Sequence, residues 1–187
     1  TSNVRVGVNA GNSIASGGIR NTVVGDEAGT AITTGDNMVA IGYAALDAED
    51  TGERSTAVGA FALTAQNAAV ENYNTAVGYS AGAGVTTGTQ NTLIGGLTGD
   101  ALTSGNSNTA VGYLALSSDT LGDRNVAIGL GTLNTQNFTS STDSYNTAVG
   151  YSAGAAVTTG VNNTLIGGLA GDAITTANSN TAVGQNA

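Results

Sequence analysis

The chain contains no cysteine, histidine, lysine, tryptophan or proline. Without histidine or cysteine there is no histidine-based triad, no thiol nucleophile and no ordinary zinc site. Without lysine there is no P-loop, despite 29 glycines. The missing prolines leave backbone N–H donors available throughout. Phenylalanine occurs only twice, and much of the 40% hydrophobic content is alanine. Such residues cannot fill a thick interior at crystal-like density, so the core must be thin and long.

Positive charge is scarce as well. Four arginines face thirteen carboxylates, for a net charge of −9. That balance repels phosphate backbones and anionic headgroups, which excludes nucleic acid as an expected partner. No apolar run is long enough to span a bilayer, so no membrane insertion is expected. The chain has neither an initiator methionine nor a signal-peptide core and reads as a piece of something larger.

What is present is a repeat. Asn74-Thr75-Ala76-Val77-Gly78-Tyr79 recurs, edited, around eleven anchor glycines: Gly7, Gly25, Gly42, Gly59, Gly78, Gly95, Gly112, Gly129, Gly150, Gly167 and Gly184. Most gaps are 17 residues, and a short fixed period of this kind is the signature of a solenoid. The expected fold is therefore all-β: a single β-solenoid over residues 1–187 with eleven coils of about 17 residues.

The position before each anchor is Val or Ile and the third before it is Thr or Val, in all eleven copies. Both are β-branched and share one side of an extended chain, as a strand requires. This branched face is expected to point inward. The opposite face, carrying Ala57, Ala76, Ala110, Ala127, Ala148 and Ala182, is nearly flat and is expected to be a seam between sister chains. A second strand is expected after the anchor. Glycine ten residues on is expected in a positive-φ turn, and asparagine before the strand in a stacked ladder or an Asx-turn.

Two further positions obey an exclusion rule. Four after the anchor the residue is Gly or Leu; seven after it the residue is aliphatic when the first is Gly and polar when the first is Leu. All ten complete coils comply. Each coil thus supplies one large hydrophobe to a single slot, and emptying it would cost about 2–5 kcal/mol. The alternation exposes a higher repeat of four coils, in which residues 72–112 match 144–184 at an offset of 72. Enlarged loops fall at Gln66–Tyr73 and Gln136–Tyr145, on one edge of the rod.

The Thr-Ala-Val-Gly and Val-Ala-Ile-Gly cores, with alanine three residues later, resemble the coils of YadA-like trimeric adhesin heads. Asn-Thr-Ala-Val-Gly-Tyr-x-Ala-Leu around Gly112 is similar to repeats of phage tail fibres. The resemblance covers essentially the whole chain. It implies a homotrimer of left-handed β-rolls on a virion or a cell surface, engaged in attachment to a host-surface glycan or protein receptor. A tail-fibre segment is the first expectation and the head of a bacterial trimeric adhesin, or another extracellular filament, the alternative.

No enzyme activity, cofactor or metal is expected. Asp47, Glu49, Asp50 and Glu53 read as a solvated loop, and Asp100 and Asp172 as solvated turns rather than calcium ligands. Arg20, Arg54 and Arg124 read as exposed ion pairs or bridges to a neighbouring chain. Phe61, Tyr73, Phe138 and Tyr145 flank or occupy the enlarged loops and are the receptor-contact candidates, since aromatics on a rigid scaffold give large contact area at low entropy cost. Tyr43, Tyr79, Tyr113 and Tyr151 read as packing residues. Ice binding by the threonine pairs, such as Thr86-Thr87 and Thr158-Thr159, is a further alternative, although the pairs recur in only some coils.

Overall fold

A computed structural model describes residues 2–187. The described residues form a parallel β-solenoid with no helix. Its strands are β1 (Val4–Val6), β2 (Thr22–Val24), β3 (Val39–Ile41), β4 (Thr56–Val58), β5 (Thr75–Val77), β6 (Thr92–Ile94), β7 (Thr109–Val111), β8 (Gly122–Asp123), β9 (Val126–Ile128), β10 (Thr142–Asp143), β11 (Thr147–Val149), β12 (Thr164–Ile166) and β13 (Thr181–Val183). Eleven of these make one parallel sheet in chain order, while β8 pairs with β10 alone. At an inter-strand spacing of ~4.8 Å the sheet is a ribbon about 50 Å long.

Register is exact from rung to rung. Val77 lies over Ile94 and Ile94 over Val111, as the period predicts. The direction they face is the reverse of the expectation. Val77 and Ile94 are 36% and 39% exposed, whereas Ala57, Ala76, Ala110, Ala127 and Ala148 are fully buried and Ala182, in the last rung, is half-buried. The flat side of each strand is therefore the core of its own coil and is not available to a sister chain. The reason is width. A Cβ on Gly82 would sit 2.9 Å from Leu63 Cδ2 and 2.7 Å from Leu93 Cδ1, so strand and slot residue already meet across the coil. Alanine fits that width in most rungs, and the larger Val23, Leu93 and Leu165 are buried there only where Gly29, Gly99 and Gly171 stand at the fourth position after the anchor.

The slot rule is a steric fact. A Cβ on Gly29 would lie 2.6 Å from Ile32 Cδ1, and one on Gly11 would lie 2.7 Å from Ile14 Cδ1. Leu46, Leu63, Leu116 and Leu133 fill the same volume from the fourth position and are fully buried. Backbone conformation does not choose between the options, because Leu46 and Gly29 share a left-handed φ of 50° and 54°. Gly29→Leu should therefore overpack coil two and cost about 1–3 kcal/mol, and adding Ile32→Ala should recover most of that. Urea unfolding of the single and double variants checks it; a double variant no better than Gly29→Leu would show that the two sites do not share one space.

Glu49 was expected in a solvated loop and is inside, as are the other polar residues at the seventh position. Glu49, Gln66, Asp119 and Gln136 have no exposed surface. Glu49 accepts from Gly52 N (2.8 Å), Gln66 Nε2 (2.7 Å) and Asn72 Nδ2 (3.0 Å). Asp119 accepts from Gly122 N (3.0 Å) and Gln136 Nε2 (2.6 Å). These side chains cap the next turn, whose backbone donors have no partner in the sheet.

The asparagine ladder is present. Asn91 N donates to Asn74 Oδ1 and Asn108 N to Asn91 Oδ1, each at 2.9 Å, while Asn91 Nδ2 donates to Gly105 O at 2.8 Å. Met38 and Ser55 interrupt it and are buried in its place. The expected second strand is absent: the segment after each anchor is a run of turns, cross-linked between coils by bonds such as Leu63 N to Ala81 O (3.0 Å). The glycine ten after the anchor has positive φ only at Gly17. Elsewhere it permits close stacking, since a Cβ on Gly105 would lie 2.6 Å from Gly122 O.

Candidate functional site: the outer sheet face

Because alanine faces in, every second residue along the strand faces out. Three parallel rows result: threonine or valine three before the anchor, valine or isoleucine one before it, and a mixed row one after it. The first two rows contain no charged residue in any of the eleven coils, although the chain carries seventeen charges. The inner of these rows is exposed at Ile41, Val77, Ile94, Ile128 and Ile166 (36–40%). The threonine row holds Thr22, Thr56, Thr75, Thr92, Thr109, Thr147, Thr164 and Thr181, whose hydroxyls donate no hydrogen bond among the described residues. It is continuous over β4 to β7, which the paired threonines in the turns are not. Thr86 and Thr158 spend their hydroxyls on carbonyls of the next coil.

The third row is aromatic at alternate rungs: Tyr43, Tyr79, Tyr113 and Tyr151. They are 45–59% exposed, not packed away as the sequence suggested. The reversal has the same cause as that of the strand faces, since inverting one residue of a period-two pattern inverts all of them. The parity of the tyrosine with the valine was the available signal. Phe61 lies edge-on between Tyr43 and Tyr79, with ring centroids 5.2 Å and 6.1 Å away. The Glu27 carboxylate beside the Tyr43 hydroxyl holds its pKa above the usual tyrosine value.

The other receptor-contact candidates separate. Phe138 is 5% exposed and is buried within its loop. Tyr73 and Tyr145 are exposed, and each lies beside an arginine of the preceding coil, with Arg54 Cζ and Arg124 Cζ both 5.6 Å from the ring centroid. Arg54 pairs with Glu53 (3.7 Å) and Glu71, and Arg124 with Asp143. Tyr73 donates to Glu71 Oε2 at 2.6 Å. The enlarged loops thus bring a carboxylate and a tyrosine to one arginine, and the arginines are partnered within the chain. Arg20 likewise meets Asp36 (3.6 Å) and Asn37 (2.7 Å).

Among the described residues no group of three or more carboxylates could hold a metal ion and no pocket is enclosed, so binding chemistry must be sought on the surface. Burial raises the Asp100 carboxyl above its ordinary range, and it belongs to no group of three or more candidate metal ligands. No helix is long and apolar enough to cross a membrane. No protein-family model, curated protein or solved structure matches the chain.

Proposed function

We propose that this chain is a structural and adhesive rod segment of a homotrimeric fibre, serving host attachment in a phage tail fibre, with a bacterial surface adhesin as the alternative setting. The observation that supports this is the uncharged branched face. Three-residue strands in eleven rungs make a strip of about 500 Å², at the upper end of apolar patches on monomers. An acidic chain that keeps every charge off two complete rows is adapted to covering them. The seam in this reading is the valine and isoleucine row, and no longer the alanines.

Light scattering is expected to give three times the 18.1 kDa chain mass. Ile94→Asp, outward-facing and so harmless to the coil, should produce monomers with an unchanged circular dichroism spectrum. Burying an unpaired carboxylate in a seam costs several kcal/mol. A single-chain mass for the unmodified protein would remove the trimer.

A second reading is favoured by the threonine row. Threonine and valine at fixed spacing on a flat sheet suit an ordered surface such as ice. Thermal hysteresis of the unmodified protein, abolished by Thr92→Lys, would support it.

A further inference from the structure

We propose that the tyrosine row is a stacking platform for an extended, neutral β-1,4-linked polysaccharide running along the solenoid axis. The inference rests on the reading of the rod as an attachment segment and names the class of glycan it would take.

Spacing carries the argument. Tyr43, Tyr79, Tyr113 and Tyr151 stand in coils three, five, seven and nine, so neighbours are two rungs apart, about 10 Å. Their backbones are held to that spacing. Each tyrosine carbonyl accepts from the next rung: Tyr43 O from Phe61 N (2.9 Å), Tyr79 O from Leu97 N (2.9 Å), Tyr113 O from Gly131 N (3.0 Å) and Tyr151 O from Leu169 N (2.8 Å). The enlarged loops of coils four and eight leave the row undisturbed, because they bulge from another corner. In an extended β-1,4 chain successive sugars are turned by half a revolution. The same ring face therefore recurs every second sugar, at close to two inter-strand spacings.

The three rungs between the tyrosines carry Ala60, Gly96 and Leu130, of which only Leu130 is large, and Phe61 extends the aromatic row between Tyr43 and Tyr79. A Cβ on Gly96 would lie 3.4 Å from Tyr113 Cδ2, so that ring leans over the neighbouring glycine, and it is 51% exposed. Aromatic faces bind the apolar faces of sugars with large contact area and little loss of rotamer freedom. Charge selects among glycans. At a net charge of −9 the chain repels polyanions, so a neutral polymer fits.

The test is retention of the full chain on insoluble cellulose and chitin, with amylose, whose α-1,4 chain coils, as control. Titration with soluble β-1,4 oligosaccharides should show affinity rising with length until about seven sugars span four tyrosines. Tyr79→Ala and Tyr113→Ala should each weaken binding about five- to ten-fold, with unchanged unfolding temperature because both side chains are exposed. Retention on neither β-glycan above amylose, or a double variant retained like the parent, overturns the proposal. The mass of each sample is measured alongside. A trimer without retention sinks the glycan platform and leaves the fibre segment standing; a monomer that is retained does the converse. A mass that falls on Tyr→Ala substitution, without retention, makes the row a contact between copies and also overturns the proposal.

Discussion

Gly95→Ala is expected to lower the unfolding temperature by about 10 °C or more, from the addition of a single methyl group. Gly95 has φ +138°, a region open in practice only to glycine, and a Cβ there would stand 2.5 Å from Gly112 O and 2.7 Å from its carbonyl carbon. Neither neighbour can rotate away, because both are backbone of the next rung. The strain costs about 1–3 kcal/mol, and moving the rung apart forfeits ladder hydrogen bonds as well, for a total of about 4 kcal/mol. Each coil is stabilised only by its neighbours, so a fault at coil six weakens both halves. Gly168→Ala is the control. It lies next to the corresponding anchor, has no atom within 4 Å of an added Cβ and no positive φ, and should be neutral or slightly stabilising. Calorimetry of both variants checks the pair; equal unfolding temperatures would refute the stacking argument.

The second large effect concerns the buried acids. Burial raises the Asp119 carboxyl above its ordinary range, and the Gln136 amide and the turn N–H groups only partly offset it. Glu49 is raised for the same reason. A carboxyl whose folded pKa is raised binds its proton more tightly in the folded state. Its contribution to stability is therefore fully present below the unfolded value and is lost as pH rises through the folded one. The two sites should make the protein lose stability as pH climbs from about 4 through their raised values. Gln136→Leu removes the donor 2.6 Å from Asp119 Oδ2 and leaves a buried carboxylate short of a partner. The expected cost is about 2–4 kcal/mol at pH 7, shrinking to about 1 at pH 3, where the carboxyl is neutral. Denaturant unfolding at both pH values decides it. An equal cost at each would mean that the carboxylate is not what Gln136 serves.

Much of this architecture was legible in the chain itself. The period predicted the rungs and their register, because a solenoid repeats its sequence wherever it repeats its environment. The exclusion between Gly and Leu at one position and aliphatic and polar residues at another identified the slot, and Gly29 against Ile32 shows it to be plain volume. Nine asparagines before eleven strands announced a ladder, since a side chain that bonds to the next rung must recur in each.

The orientation of the strand was not legible. Period-two patterning separates two faces but does not say which is interior when one is alanine and the other valine. Hydrophobicity favoured the valine; only the closed coil shows that the face of Ala76, Leu93 and Ala110 meets the slot residues, with Gly82 and Gly99 making room for Leu93. That one inversion carried the tyrosines from packing to the surface and moved the proposed seam from Ala76 to Val77. Glu49 was misread for a related reason, and Asp119 shows the same arrangement four coils on. A carboxylate in a polar stretch looks solvated until the turn donors that need it are seen folded around it. What the sequence by itself determined is therefore the repeating unit and its contents, which are local and recur. Which way each side chain faces was decided by the tertiary structure, because inside and outside exist only after the coil has closed.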